Sequence, residues 1–208
     1  MAQHATENLI SVKVDVDKKE GSDLFSTFNG TAMPTLIFLD GAGNEVDRII
    51  GYLPPEQYQA RLAEIEANVN TLDACLQKYE NGERTSHLLF TMAQKYSDRN
   101  ESDNAKKYYV ELLESFPNID ESMASTARFE LAYDEFKNGN MDPFNEFVNN
   151  FSTSPMAQMA LSNMVRFYKG EDNKVSELGV HRRMLALYPH DPSVLNGYAW
   201  RMAEMELN

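Results

Sequence analysis

Cysteine is nearly absent: the 208-residue sequence holds one, Cys75. A lone cysteine excludes an internal disulfide and any Cys-x-x-Cys redox pair within the chain. Positive charge is also scarce. Against 32 acidic residues stand 19 lysines and arginines, for a formal net charge of −13, and no basic cluster is long enough to attract a polyanion. Nucleic acid and anionic membrane surfaces are therefore poor partners. Long apolar runs are missing too, and none approaches the ~20 residues of a membrane-spanning helix. Met1 to Glu7 is polar and lacks the apolar centre of a signal peptide, so the sequence as given carries no export address and leaves the compartment open. The four histidines, His4, His87, His181 and His190, share no metal-ligand spacing. No metal or other cofactor is expected.

What is present is enough apolar residue, 42% of the chain, to build one sizeable core or two small ones. The most informative stretch is Thr31-Ala32-Met33-Pro34-Thr35-Leu36-Ile37-Phe38-Leu39-Asp40. A Met-Pro-Thr step feeds strand-forming residues, Asp40-Gly41-Ala42-Gly43-Asn44 supplies a turn, and Val46 to Gly51 follows as a second strand. Proline has no amide to give to a sheet ladder, so it belongs at a strand's first residue, where Pro34 stands.

Met1 to Asn8 reads as the last turns of a helix. Leu9 to Val16 alternates, with Ile10, Val12, Val14 and Val16 on one face, and predicts a strand. Gly21 to Phe28 predicts a short helix that buries Leu24, Phe25 and Phe28. After Tyr52, Pro54-Pro55-Glu56 opens a helix, which directs Tyr58, Leu62, Ile65 and Val69 toward a core.

Strand, helix, proline turn, hairpin and helix, carried on Leu9 to Ile65 with its "KVDVD", "PT" and "GY" stretches, resemble the second half of the thioredoxin-like superfamily. The resemblance implies that Pro34 is cis and that Met33, Pro34 and Thr35 form a substrate-binding turn, their backbone pairing with a client peptide beside the redox cysteines. It also implies a first strand, a central strand and a Cys-x-x-Cys helix, none of which is in the sequence. The central strand would lie between Leu9 to Val16 and Thr35 to Leu39, whose inner hydrogen bonds are otherwise unmet. The expectation is an incomplete thioredoxin-like domain over residues 1–70, from a gene whose first part is missing.

Residues 71–208 predict helices that repeat. Pro117, Pro155 and Pro189 each follow an amphipathic segment, at gaps of 38 and 34 residues. A shift of 72 residues lays Leu89 on Leu161, Met92 on Met164, Tyr96 on Tyr168, Leu112 on Met184, Phe116 on Tyr188 and Pro117 on Pro189. The spacing Leu89, Met92-Ala93, Tyr96, Ala105, Tyr109, Leu112, Pro117 resembles the tetratricopeptide repeat. Repeats are placed at about 83–117, 120–155 and 156–189, with an incomplete one over 190–208. The middle repeat is degenerate, with Ala127, Leu131, Ala132 and Phe136 on one helix, a turn at Asn138-Gly139-Asn140, and Phe144, Phe147, Val148 and Phe151 on the next. In the last, Leu195, Tyr198-Ala199 and Met202 keep the first-helix spacing without a partner helix. Trp200 adds to an outer face that is not polar.

Bland readings compete with functional ones at several positions. Pro34 is either a substrate-contacting proline or one that only sets strand geometry. Cys75, beside Leu72 and Leu76 on a helical period, reads as a core thiol and not a nucleophile. Asp15 to Ser26 fails as a calcium loop because Glu20 and Ser26 stand where glycine and a bidentate carboxylate are needed. Gly41 and Gly43 precede a strand and so make a turn, not a phosphate cradle. No catalytic residue stands out. The fold class expected is α/β plus all-α: an incomplete thioredoxin-like sheet followed by a solenoid of helical hairpins. Two functions follow. One is a fragment of a thiol–disulfide oxidoreductase that lacks the redox cysteines and carries a region binding a protein or peptide partner. The other is a non-enzymatic interaction scaffold with a redox-dead thioredoxin-like module.

Overall fold

The computed structural model describes residues 9–205. The chain divides into two compact units, residues 1–117 and 118–208. The expected module boundary at residue 70 falls inside the first.

In the first unit the leading segment departs from expectation. Leu9 to Val16 forms no strand, and Ile10 is 97% exposed. An alternating pattern becomes a strand only where a neighbour meets its amides and carbonyls, and no described strand pairs with this one. The expected helix end at Met1 to Asn8 lies outside the described residues. Helix α1 (Lys19–Thr27) begins two residues earlier than predicted. It half-buries Phe25, with Phe28 half-buried just beyond, but leaves Leu24, expected inside, exposed. Gly21 sits where a Cβ would lie 2.0 Å from the Asp15 carbonyl oxygen, so only glycine lets the helix pack on that turn.

The hairpin forms as expected. Strands β1 (Thr35–Leu39) and β2 (Glu45–Ile50) pair antiparallel, with Thr35 opposite Ile50 and Ile37 opposite Arg48, and an irregularity lies between Phe38 and Leu39. Asp40 fixes the turn. Its carboxylate accepts from the Ala42 and Asn44 amides at 2.8 and 2.9 Å and from the Asn44 side chain at 3.0 Å. The Asn44 side-chain bond is the largest of the effects holding the Asp40 carboxyl below its usual range. Helix α2 (Pro55–Glu66) starts on its proline and buries Leu62 and Ile65. Val69, expected inside, is exposed: the helix stops at Glu66, and Asn68 and Asn70, both with φ above +50° or at it, turn the backbone away.

Three helices complete this unit: α3 (Leu72–Glu80), α4 (Ser86–Asp98) and α5 (Ser102–Ser115). Thr71 and Thr85 cap α3 and α4 by accepting the Ala74 and Leu88 amides. Leu89, Met92 and Ala93 on α4 meet Ala105, Tyr109 and Leu112 on α5, and all six are buried.

The second unit is wholly helical among the described residues: α6 (Glu121–Lys137), α7 (Asp142–Asn150), α8 (Pro155–Gly170), α9 (Lys174–Leu187) and α10 (Pro192–Glu204). Its core gathers Phe129, Phe144, Phe147, Leu161, Met164 and Met184, with Phe144 stacked on Phe129 and Phe136. Gly139, φ +85°, makes the turn between α6 and α7.

The 72-residue shift carries over to the backbone. It maps α5 onto α9 end for end. It maps Asn100, φ 56°, onto Asp172, φ 50°, in the linkers. The Glu101 amide donates to the Tyr96 carbonyl and the Asn173 amide to the Tyr168 carbonyl, both at 2.9 Å. Phe116 and Tyr188 end their helices with φ near −130° in each case.

Candidate functional site

The proline turn builds the candidate site. The Met33–Pro34 peptide bond is cis, as the thioredoxin-like resemblance implies. The Pro34 carbonyl accepts from the Gly51 amide at 2.8 Å, and the Thr35 hydroxyl donates to the Ala32 carbonyl at 2.6 Å, so both sides of the turn are fixed. Met33 is 66% exposed. Its amide and carbonyl have no hydrogen-bond partner among the described residues.

The hairpin register then decides where the β1 backbone points. Bonding of Gly51 to Pro34 makes that couple a hydrogen-bonded pair, and such pairs alternate along an antiparallel ladder. Leu36 and Phe38 therefore turn their amides and carbonyls to β2. Thr35 and Ile37 turn theirs to the open edge, since the sheet has two strands. Met33, Thr35 and Ile37 thus offer a row of backbone groups at alternate residues. The side chains of Leu36, Ile37 and Phe38 are half-buried on both faces of the strand, and Leu39 is exposed. A strand apolar on both faces is built for a covered position.

Beneath the hairpin lies a group of buried charges. Asp47, on β2, accepts from Lys95 at 3.0 and 2.7 Å and from Arg61 on α2. Arg99 reaches Glu45 at 3.1 Å. Arg48 binds Glu45 through two nitrogens at 2.8 and 2.5 Å and donates to the carbonyls of Asp98 and Phe28 at 2.8 and 2.7 Å. Burial pushes the Lys95 ammonium below its usual range, against the pull of Asp47, and pushes the Asp98 carboxyl up. The network ties β2 to α2 and α4, holding the strand that in turn holds β1. The sequence carried only half a signal for it: Asp47 and Arg48 interrupt the apolar residues of β2, but nothing in residue spacing joins them to Lys95 and Arg99.

Of the residues singled out from sequence, Met33, Pro34 and Thr35 stand together at this turn. Ile37, which adds the next outward backbone pair, was not singled out because only the register reveals it. Cys75 is on α3, 1% exposed, and burial raises its thiol above the usual range, so it is a core residue. His181 is buried against Tyr198 and Glu177, whereas His87 and His190 are exposed, and His4 lies outside the described residues. Among the described residues no cluster of three or more His, Cys, Asp or Glu side chains is placed to hold a metal, and no helix is long and apolar enough to cross a membrane.

A family model described as a thioredoxin-like domain matches residues 2–66. The match covers α1, the proline turn, the hairpin and α2, and supports a thioredoxin-like domain there. Comparisons with curated proteins and with solved structures find no match.

Proposed function

We propose that this chain is the polypeptide-docking part of a thioredoxin-like thiol–disulfide oxidoreductase, joined to tetratricopeptide-like helices that bind a protein partner. In the whole domain that the resemblance implies, a client pairs with the Met33 backbone and the central strand with Thr35 and Ile37; in the chain as given, an extended segment lies along all three, whose outward amides and carbonyls supply a new ladder, and the half-covered apolar side chains of β1 pack beneath it. The observation that carries the reading is the exposed Met33 with its free backbone, continuous with the open edge of β1. The chain contributes position and not thiol chemistry, because its single cysteine is buried with a raised pKa. Redox cysteines must come from outside this sequence.

Two assays test the reading together. The purified chain is expected to reduce insulin no faster than the no-protein control. It is expected to bind a fluorescein-labelled ten-residue alternating valine–threonine peptide, with Met33→Asp weakening that binding about tenfold by placing a charge on the docking edge. Insulin reduction above the control, or binding indifferent to Met33→Asp, overturns it.

The buried state of Cys75 also favours a second reading, a redox-dead scaffold that docks peptides with no thiol partner at all. The reading frame upstream of Met1 separates the two: a Cys-x-x-Cys encoded there supports the oxidoreductase, and strands without paired cysteines support the scaffold.

A further inference from the structure

The 72-residue relation extends back beyond α4 and α5. It carries α4 into α8, and it carries α3 to positions 144–152, against α7 at 142–150. One residue more lays Thr71, Ala74 and Cys75 on Phe144, Phe147 and Val148, and all six are buried. α3 is therefore the counterpart of α7. In the second unit α7 packs on α6 before it and on α8 after it. In the first unit α3 packs on α4 after it, but before it on β2. A strand stands where the later set has a helix.

The facing side chains mark the exchange. Lys95 on α4 has Phe167 as its counterpart on α8. Phe167 turns edge-on to Phe136 of α6, with 5.8 Å between ring centroids, whereas Lys95 donates to Asp47 of β2 at 3.0 and 2.7 Å. The same helical position thus meets the preceding element in both units, through rings in one and through an ion pair in the other. Arg99 and Glu171 are equivalent too, each closing its helix; Arg99 is buried against Glu45 of β2, and Glu171 is exposed. The charges on α4 are not part of the repeated pattern. They answer Glu45 and Asp47, and Arg61 brings α2 to the same Asp47 carboxylate.

We propose that the β1–β2 hairpin is the first layer of the helical array, standing in for a first helix, and that Lys95 and Arg99 couple it to α4 and α5 as one cooperative unit. Stacked repeats pass stability to their neighbours through the interface between them. Here that interface is ionic and buried. Parting it leaves charges without partners, so hairpin and helices open together. Whatever lies along β1 then also holds α5, and a partner on α4 or α5 tightens β1 by the same factor. That consequence rests on the function proposed above; the coupling itself does not.

Hydrogen exchange at single amides of the full chain, without peptide, tests the coupling, so its failure is distinct from failure of strand docking. Asp40 is exposed at the hairpin turn and makes its bonds to residues 42–44. Asp40→Ala is expected to speed exchange of the Leu36 and Phe38 amides about tenfold, and that of the Leu112 amide on α5 by the same factor. In reverse, Leu112→Val should speed Leu36 and Phe38 as much as it speeds α5. In a Lys95→Met background Asp40→Ala should reach Phe38 but not Leu112, and Lys95→Arg, which keeps the charge, should restore the transmission. Faster exchange confined to the hairpin in Asp40→Ala, with Leu112 unchanged, overturns the proposal. So does full transmission in Lys95→Met, which takes the coupling away from the ion pair. Should Lys95→Met fail to fold, the comparison of Phe38 with Leu112 in Asp40→Ala decides alone.

Discussion

The Asp47 carboxylate of the hairpin accepts both of its shortest lysine contacts from Lys95, a residue 48 positions later on α4, at 3.0 and 2.7 Å. Each side chain is almost wholly buried. Removing one member of a buried ionic group strands the charges that remain, at a cost of about 3–5 kcal/mol. Asp47→Asn is accordingly expected to lower the urea stability of the first unit by about 3 kcal/mol. Paired with Lys95→Met it should cost less than the sum of the two single changes by about 1 kcal/mol, as direct partners do. Additive effects would show that the contact is not a coupled one.

Cys75 should be silent toward thiol reagents in the folded chain. Its sulfur is buried on α3, and burial disfavours the thiolate that reacts. Labelling with Ellman's reagent is expected to proceed only as fast as the chain opens, and to be immediate in denaturant. Rapid reaction under native conditions would place the thiol at the surface.

Equivalent positions in the two outer helical pairs should respond alike to truncation, and the exposed one on α10 should not. Leu89→Ala and Leu161→Ala each leave a cavity in a filled core and are expected to cost about 2–5 kcal/mol. Leu195→Ala, at the corresponding exposed position of α10, should change stability by less than about 0.5 kcal/mol. Chemical denaturation of the three variants checks the contrast.

Stability of the second unit should fall in mild acid. Burial drives the His181 pKa below its ordinary value of 6.5, an effect reinforced by Arg201 and Lys169 and opposed by Glu177. The unfolded chain then binds the proton more readily than the folded one, so stability is full above about pH 6.5 and declines as pH falls from there toward the folded pKa. Urea midpoints measured at pH 7.5 and 5.5 should differ, and His181→Gln should reduce the difference. An equal difference in the variant would assign the slope to other groups.

The hairpin, the helix starts and the 72-residue repeat were legible in the sequence because each is written in local chemistry: Asp40 and Asn44 at a turn, Pro55 at a helix start, Leu and Met at helical spacing. What was not legible depends on a neighbour. The alternation of Leu9 to Val16 is a strand pattern, yet nothing described pairs with it, and it forms no ladder. Val69 continues a helical stripe on paper, but the left-handed asparagines on either side of it redirect the chain. The proposed docking edge was half visible. Met33, Pro34 and Thr35 were picked out through family resemblance, whereas the outward turn of Ile37 follows from hydrogen-bond register, which residue types do not encode. The buried charges joining β2 to α4 span about fifty residues, and no periodicity links positions so far apart.

Amide hydrogen exchange along β1 tests the proposed docking edge most directly. In the free chain Leu36 and Phe38, bonded to β2, should exchange slowly while Thr35 and Ile37 exchange fast; saturating extended peptide should slow Thr35, Ile37 and Met33 together. Peptide binding that leaves those three amides unprotected, or protection of Thr35 and Ile37 already present without it, would contradict the account.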